Sequence, residues 1–303
     1  MTTVNPRLSD QAWRDSGLPP NEIERFAEVA RLAAAAGAGQ LMRYFGKLEH
    51  IREKGSAGNL VTEADLAAEQ AVLAVLAEAT PELGVLAEES GRRIGQGSPL
   101  EWCVDPLDGT TNYAHRYPFF GTSVGLTWNG RPLLGALAVP ALDQFYWAAP
   151  GLGAWNNDSR IQVSECQELS HSLLVTGFAY DRISRLDNNY AEFAWFTHRT
   201  RGVRRAGAAA VDLAFVADGR VDGYWERGLS PWDLAAGVPL VEQAGGVVCS
   251  YDGSPVDLAS GRLVACTPAL RRALVDGLAA CRPLQGASFG APELDGGEAV
   301  AAP

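Results

Sequence analysis

Residues 101–120 read EWCVDPLDGTTNYAHRYPFF. The apolar run Trp102–Cys103–Val104 ends at Asp105. Pro106, a second acid at Asp108 and the small residues Gly109, Thr110 and Thr111 follow. Two readings compete. Pro fixes φ and Asp-Gly favours tight turns, so the segment can be an ordinary turn after a buried strand. Alternatively, two carboxylates at a strand end, followed by small residues with backbone N–H groups, make a site for a metal ion and an anion.

The surrounding chain sets the frame. Upstream, Asn21 caps a helix expected to reach about Phe45, with Ile23, Phe26, Ala30, Ala33, Gly37 and Leu41 on one stripe. KGSAGNLVTEAD (54–65) reads as a loop entering a second helix, from Asp65 to about Ala79, which Pro81 stops. GVLAEES (84–90) reads as a short strand running into acids. Downstream, residues 119–155 alternate apolar stretches with turn signals, as in an antiparallel meander. Beyond about 165, strand candidates (SLLVTGF, DGYWE, GGVVCSY, RLVACT) alternate with helix candidates at 188–198, 208–218, 232–244 and 268–281. The expected fold class is therefore α+β followed by α/β. Residues 1–20 read as a loose arm, 21–165 as an α+β half, 166–285 as an α/β half and 286–303 as a disordered tail poor in apolar residues.

Composition excludes several functions. The net charge of −11 leaves no basic stripe for nucleic acid and disfavours an anionic membrane surface. No apolar run approaches about 18 residues, and the N-terminus lacks a secretory pattern. The cysteines at 103, 166, 249, 266 and 281 form no C-x-x-C pair and read as reduced thiols of a cytoplasmic protein. Neither a P-loop nor a G-x-G-x-x-G after a strand is present.

Acids gather at four element ends: Glu88 and Glu89 after GVLA, Asp105 and Asp108 after WCV, Asp65 in VTEADLAAE and Asp233 in SPWDLAAG. Each has a bland role. Ser230-Pro231-Trp232-Asp233 is a good helix start, and Asp65 is a first-turn acid favoured by the helix dipole. If they converge, their like charges at ~4 Å cost several kcal/mol, so they call for cations. All-oxygen ligands favour Mg²⁺, and a pair of such ions suits phosphoryl displacement.

Four motifs are similar to those of the inositol monophosphatase family: KGSAGNLVTEAD (54–65), LAEES (86–90), WCVDPLDGTTNYAHRYPFFGTSVGL (102–126) and YWERGLSPWDLAAGVPLVEQAGG (224–246). The likeness spans roughly residues 21–282. It implies a layered αβαβα sandwich of the sugar-phosphatase type, a homodimer and two Mg²⁺ ions, with a weaker third. By that resemblance Glu88, Asp105 and the Leu107 carbonyl hold the first ion, and Asp105, Asp108 and Asp233 the second. Glu89 with Glu88 supports the third, and Lys54 lies in a mobile loop near the metals. Gly109 and Thr110, with Thr111, receive the phosphate on backbone N–H groups. The Thr110 hydroxyl and Asp65 orient and deprotonate the nucleophilic water. Gly207, Ala209, Glu226 and the Thr176–Gly177 strand end face the substrate ring. The sequence departs from common members at Asn59, Ala87 and Ser230, none of them an implied metal ligand. His115 reads as a loop residue.

The implied activity is hydrolysis of a small phosphate monoester, inositol 1-phosphate or a related polyol or sugar monophosphate, by in-line attack of a metal-activated water. The alternatives are the same chemistry on histidinol phosphate, fructose 1,6-bisphosphate or 3′-phosphoadenosine nucleotides, with Arg204, Arg205 and Arg227 as candidate contacts, or a phosphate-ester binder without turnover.

Overall fold

The computed structural model describes residues 7–54 and 60–283. Asn59 and the tail over 286–303 lie outside them. In chain order come α1 (Leu8–Ser16), α2 (Pro20–Tyr44), β1 (Ile51–Glu53), β2 (Leu60–Thr62), α3 (Glu63–Ala79), β3 (Gly84–Ala87), β4 (Gly91–Arg93), β5 (Leu100–Asp108), α4 (Thr110–Ala114), β6 (Gly121–Trp128), β7 (Arg131–Val139), β8 (Gln144–Ala149), β9 (Gly153–Asn156) and β10 (Ser159–Arg160). The remainder comprises β11 (Leu173–Thr176), α5 (Tyr190–Thr197), β12 (Gly202–Arg204), α6 (Ala209–Ala217), β13 (Gly223–Arg227), α7 (Pro231–Leu234), α8 (Gly237–Gln243), β14 (Val247–Cys249), β15 (Arg262–Cys266) and α9 (Arg271–Ala280).

The layers are αβαβα, as the motifs imply. Helices α2 and α3 cover one face of a sheet ordered β10-β9-β8-β7-β6-β5-β3-β4, and α6 and α8 cover the other. A second sheet, β12-β11-β13-β15-β14, packs on α6 and α8 and is closed by α5 and α9. The alanine stripe of α2, with Ala30, Ala33 and Ala34 fully buried, brings helix and sheet close together. Alanine also loses no side-chain entropy in a helix. Leu126 and Trp102 are fully buried in the same layer. Burying a leucine contributes about 2 kcal/mol. The central core draws Leu137 and Tyr146 from the first half and Val175 and Tyr224 from the second, so one cluster spans both.

Several local expectations are corrected. The N-terminal arm is not loose over Leu8–Ser16: α1 forms there, with Ala12 and Ser9 buried and Gly17 at its left-handed end. The cause lies far away in sequence, because the Glu242 carboxylate accepts from the Leu8 and Ser9 N–H groups at 2.8 and 2.9 Å. Sequence patterning cannot show such a cap. Part of the expected 54–65 loop is β2, paired antiparallel with β1. The single helix expected over 232–244 is two, α7 and α8. Cys103, Cys249 and Cys266 are buried free thiols, while Cys166 and Cys281 are partly exposed. Among the described residues no helix is long and apolar enough to cross a membrane.

Candidate active site

Strand β5 does not stop at Asp105. It runs on to Asp108 through an irregularity: Asp105 pairs with Ser123 and Asp108 with Gly121, so three steps on one strand oppose two on the other. In a regular strand, residues three apart point to opposite faces. The extra residue restores parity and turns both carboxylates to one face. Pro106 tolerates the break because it has no N–H to lose from the ladder. The Thr122 hydroxyl donates to its carbonyl at 2.9 Å. Gly109 then takes φ +90°, which favours glycine, and α4 starts at Thr110.

A close approach brings Asp233 to the same place. Gly125 and Gly135 face each other across β6 and β7. A Cβ on Gly125 would lie 2.5 Å from the Ala235 carbonyl carbon, and one on Gly135 would lie 2.4 Å from Ala236 Cα. The α7–α8 junction therefore rests directly on the sheet. Ser123, paired with Asp105, donates to the Trp232 carbonyl at 3.4 Å.

Asp65 caps its helix and also reaches Thr110. Its Oδ2 accepts from the Thr62 N–H at 2.8 Å and the Thr62 hydroxyl at 2.6 Å, closing the capping box of α3. Its Oδ1 faces the Thr110 hydroxyl at 3.2 Å, and that hydroxyl also lies 3.1 Å from the Leu107 carbonyl. Burial, partly offset by the Thr62 bonds, pushes the Asp65 pKa to about 6. Asp233 likewise receives the Ser230 N–H at 2.7 Å.

The carboxylates strain against one another. Burial, then Glu88, Asp108 and Asp233, hold the Asp105 pKa well above the usual range. Burial pushes Asp233 to about 8 and Asp108 to about 7. Asp108 is eased by the first turn of α6: Oδ1 accepts from the Ala209 N–H at 2.9 Å, and Oδ2 from those of Ala210 and Val211 at 2.9 and 3.2 Å. The Ala209 N–H thus serves Asp108. Lys54 bridges Glu88 at 3.1 Å and also pairs with Glu89. Burial acts against its ammonium, but the two glutamates outweigh it and raise its pKa. Glu89 is pushed to about 7, first by burial.

Among the described residues no three His, Cys, Asp or Glu side chains form a set that could hold a metal ion as they stand. Protein donors engage most of these carboxylates: α6 amides on Asp108, Ser230 on Asp233, Lys54 on Glu88 and Glu89. The donor chemistry still fits a hard cation. Only oxygens are offered, and the burial and mutual repulsion that raise their pKa values are what a divalent ion offsets.

Glu226 stands on β13. Its Oε2 accepts from the Tyr224 hydroxyl at 2.7 Å, and burial pushes its pKa to about 7. The carboxylate lies against Gly177, where a Cβ would sit 2.1 Å from Oε2. Gly207 has φ +88°, and a Cβ there would meet the Arg205 guanidinium at 2.5 Å. Arg227, by contrast, is committed to both oxygens of Asp181 at 2.8 and 2.9 Å.

Four supporting residues escaped the sequence reading. Asn112 donates to the Phe119 and Ala206 carbonyls at 2.7 and 2.9 Å, tying the turn after β5 to the Gly207 segment. Glu69 receives the Glu89 N–H at 2.9 Å. Asn189 donates to the Gly177 carbonyl at 2.7 Å. Burial, then Glu88, Asp233, Asp105 and Asp108, raise the pKa of the Tyr180 hydroxyl. Only Asn112 carried a signal, its place within the DGTTN run.

The family profile described as the inositol monophosphatase family matches residues 22–282. An inositol-1-monophosphatase of Synechocystis sp. is 48% identical over 261 residues, covering 86% of this chain and 91% of that protein. A fructose-1,6-bisphosphatase/inositol-1-monophosphatase of Aquifex aeolicus is 40% identical, covering 74% and 85%. The solved structure of an inositol monophosphatase from Anabaena (Nostoc) sp. superposes with a TM-score of 0.80 at 47% identity, covering 87% of this chain and 98% of that one. The chain belongs to the inositol monophosphatase family, whose members are metal-dependent phosphoric monoester hydrolases.

Proposed function

We propose that the protein hydrolyses inositol 1-phosphate or a related polyol or sugar monophosphate with Mg²⁺ as cofactor. The observation that carries this reading is the Thr110–Asp65 pair set beside the acid cluster at the phosphate turn. Glu88, Asp105, the Leu107 carbonyl, Asp108 and Asp233 would hold the cations. When bound, these supply charge neutralisation for the phosphoryl group and acidify water.

The chain's own groups do the rest. The N–H groups of Gly109 and Thr110 open the first turn of α4, before any carbonyl four residues back can accept them, and receive a phosphoryl oxygen. Thr62 occupies Oδ2 of Asp65 and leaves Oδ1 for Thr110. With a pKa of about 6, Asp65 is mostly ionised at pH 7. The Thr110 proton then points to Asp65 or to the Leu107 carbonyl, and a lone pair on Oγ1 accepts from the attacking water. As the new P–O bond forms, the water's proton passes through the Thr110 hydroxyl to Asp65, the ester P–O bond opposite it breaks, and the alkoxide leaves and takes a proton from solvent. Glu226 accepts hydrogen bonds from ring hydroxyls.

A second reading rests on Arg205. Its guanidinium lies against Gly207 and lowers the Glu226 pKa, so a cation stands beside the ring position. It would suit a second phosphate, as in fructose 1,6-bisphosphate. Phosphate release measured over inositol, sugar, amino-alcohol and nucleotide phosphates, with and without Mg²⁺, decides. The expected result is the highest kcat/KM on a polyol monophosphate and no turnover without the cation. A nucleotide preferred a hundredfold would overturn the substrate, and full turnover in chelator would overturn the mechanism.

A further inference from the structure

A cavity of about 710 Å³ opens between α1, the β9–β10 turn region and the end of α8. None of its lining residues belongs to the candidate active site. Its charge is opposite to that of the molecule. Three guanidiniums, Arg7, Arg14 and Arg160, face one carboxylate, Asp10, in a chain of net charge −11. Asp10 is already engaged, since the Gln243 side-chain amide donates to it at 2.7 Å. The arginines are not. Among the described residues Arg7 and Arg160 have no side-chain hydrogen bond or ion pair, and Arg14 donates to the neutral Gln11 oxygen at 3.1 Å, with the exposed Asp15 carboxylate as a more distant charge neighbour.

Two features look built. Arg160 lies across Gly153, where a Cβ would come within 2.8 Å of Nη2, so the missing side chain makes room for the guanidinium. Trp13 supplies an apolar wall: its indole N–H is donated to the Leu18 carbonyl at 2.8 Å, so its polar edge is already satisfied. Guanidinium forks match the oxygens of phosphate, and a cavity of this size also admits an organic body.

The geometry points to a second ligand site here, taking the phosphate group of a small phosphorylated organic molecule between Arg14 and Arg160, with its organic part on Trp13. The floor of this site is the end of α8, which begins four residues after Asp233 and whose Glu242 caps α1.

The test uses the full chain with Mg²⁺ present. Calorimetric titrations are run with inorganic phosphate and with phenylphosphonate, whose C–P bond the enzyme cannot hydrolyse as an ester. The wild type is expected to show two binding classes for phenylphosphonate. The double variant Arg14→Gln/Arg160→Gln keeps one class and loses the other by about tenfold or more, which is the scale of one charge-assisted contact. Its kcat stays near wild type. Arg160→Gln alone serves as the milder variant if the double one melts early, with the same loss expected. At this site phenylphosphonate binds more tightly than phosphate. A single binding class in the wild type, or two classes retained in both variants, overturns the site. Equal affinity for the two probes overturns the organic ligand.

Discussion

The Thr110 hydroxyl and the Asp65 carboxylate face each other at 3.2 Å across 45 residues of sequence. Asp65 is fixed by its cap on α3, and Thr110 by the turn after β5. The pair therefore joins the start of α3 to the turn between β5 and α4. Thr110→Ala removes the acceptor for the water's proton and is expected to lower kcat by about 10²–10⁴. Thr110→Ser keeps a hydroxyl and most of the rate. Steady-state phosphate release reads both; a Thr110→Ala enzyme within about threefold of wild-type kcat would sink the relay.

Removing divalent ions should make stability fall as pH rises. The Asp105, Asp108 and Asp233 carboxyls have raised folded pKa values, the last two at about 7 and about 8 against 3.8 for an ordinary aspartate. Each binds its proton more tightly folded than unfolded. The stabilisation is whole below pH about 4 and is lost as pH climbs through the folded values. In chelator, Tm should therefore drop between pH about 5.5 and about 8, and Asp233→Asn should flatten that slope. Added Mg²⁺ should raise Tm more at the higher pH, by mass action on the folded state. Thermal melts at the two pH values check this; a steeper slope in Asp233→Asn contradicts it.

The layers and the acids were legible because they rest on local signals: alanine stripes, apolar strands and carboxylates at element ends. What stayed hidden depends on contacts distant in sequence. The irregular step in β5 exists only against β6, and it alone puts Asp105 and Asp108 on one face. The α1 helix reads as an arm because its cap, Glu242, is more than 230 residues away. The bond from the Ala209 N–H to Asp108 joins elements 101 residues apart and has no local signal. For Asp65 and Asp233 the cap reading holds, and each also sets its charge beside the other acids.

Glu242 offers a stability test separate from catalysis. It is 3% exposed and receives the Leu8 and Ser9 N–H groups as well as the Ser9 hydroxyl at 2.6 Å. Glu242→Ala should release α1 and cost on the order of 2 kcal/mol, the scale of hydrogen bonds to a buried charge. Urea unfolding reads this as a lower midpoint, with kcat unchanged. An unaltered midpoint would show that α1 docks through its apolar face alone.

Gly177 leaves room for the Glu226 carboxylate, so Gly177→Ala should act on Glu226 without touching its chemistry. The new Cβ would sit 2.1 Å from Oε2 and must push the carboxylate out. If Glu226 accepts ring hydroxyls, KM for inositol 1-phosphate should rise about tenfold or more in Gly177→Ala and in Glu226→Ala alike, the scale of a lost hydrogen bond to a charged group. Hydrolysis of p-nitrophenyl phosphate, which has no ring hydroxyls, should change little in either. Parallel losses on both substrates would mean that Gly177 and Glu226 support the fold of the site and do not read the polyol. A loss confined to the polyol ester assigns them to its recognition.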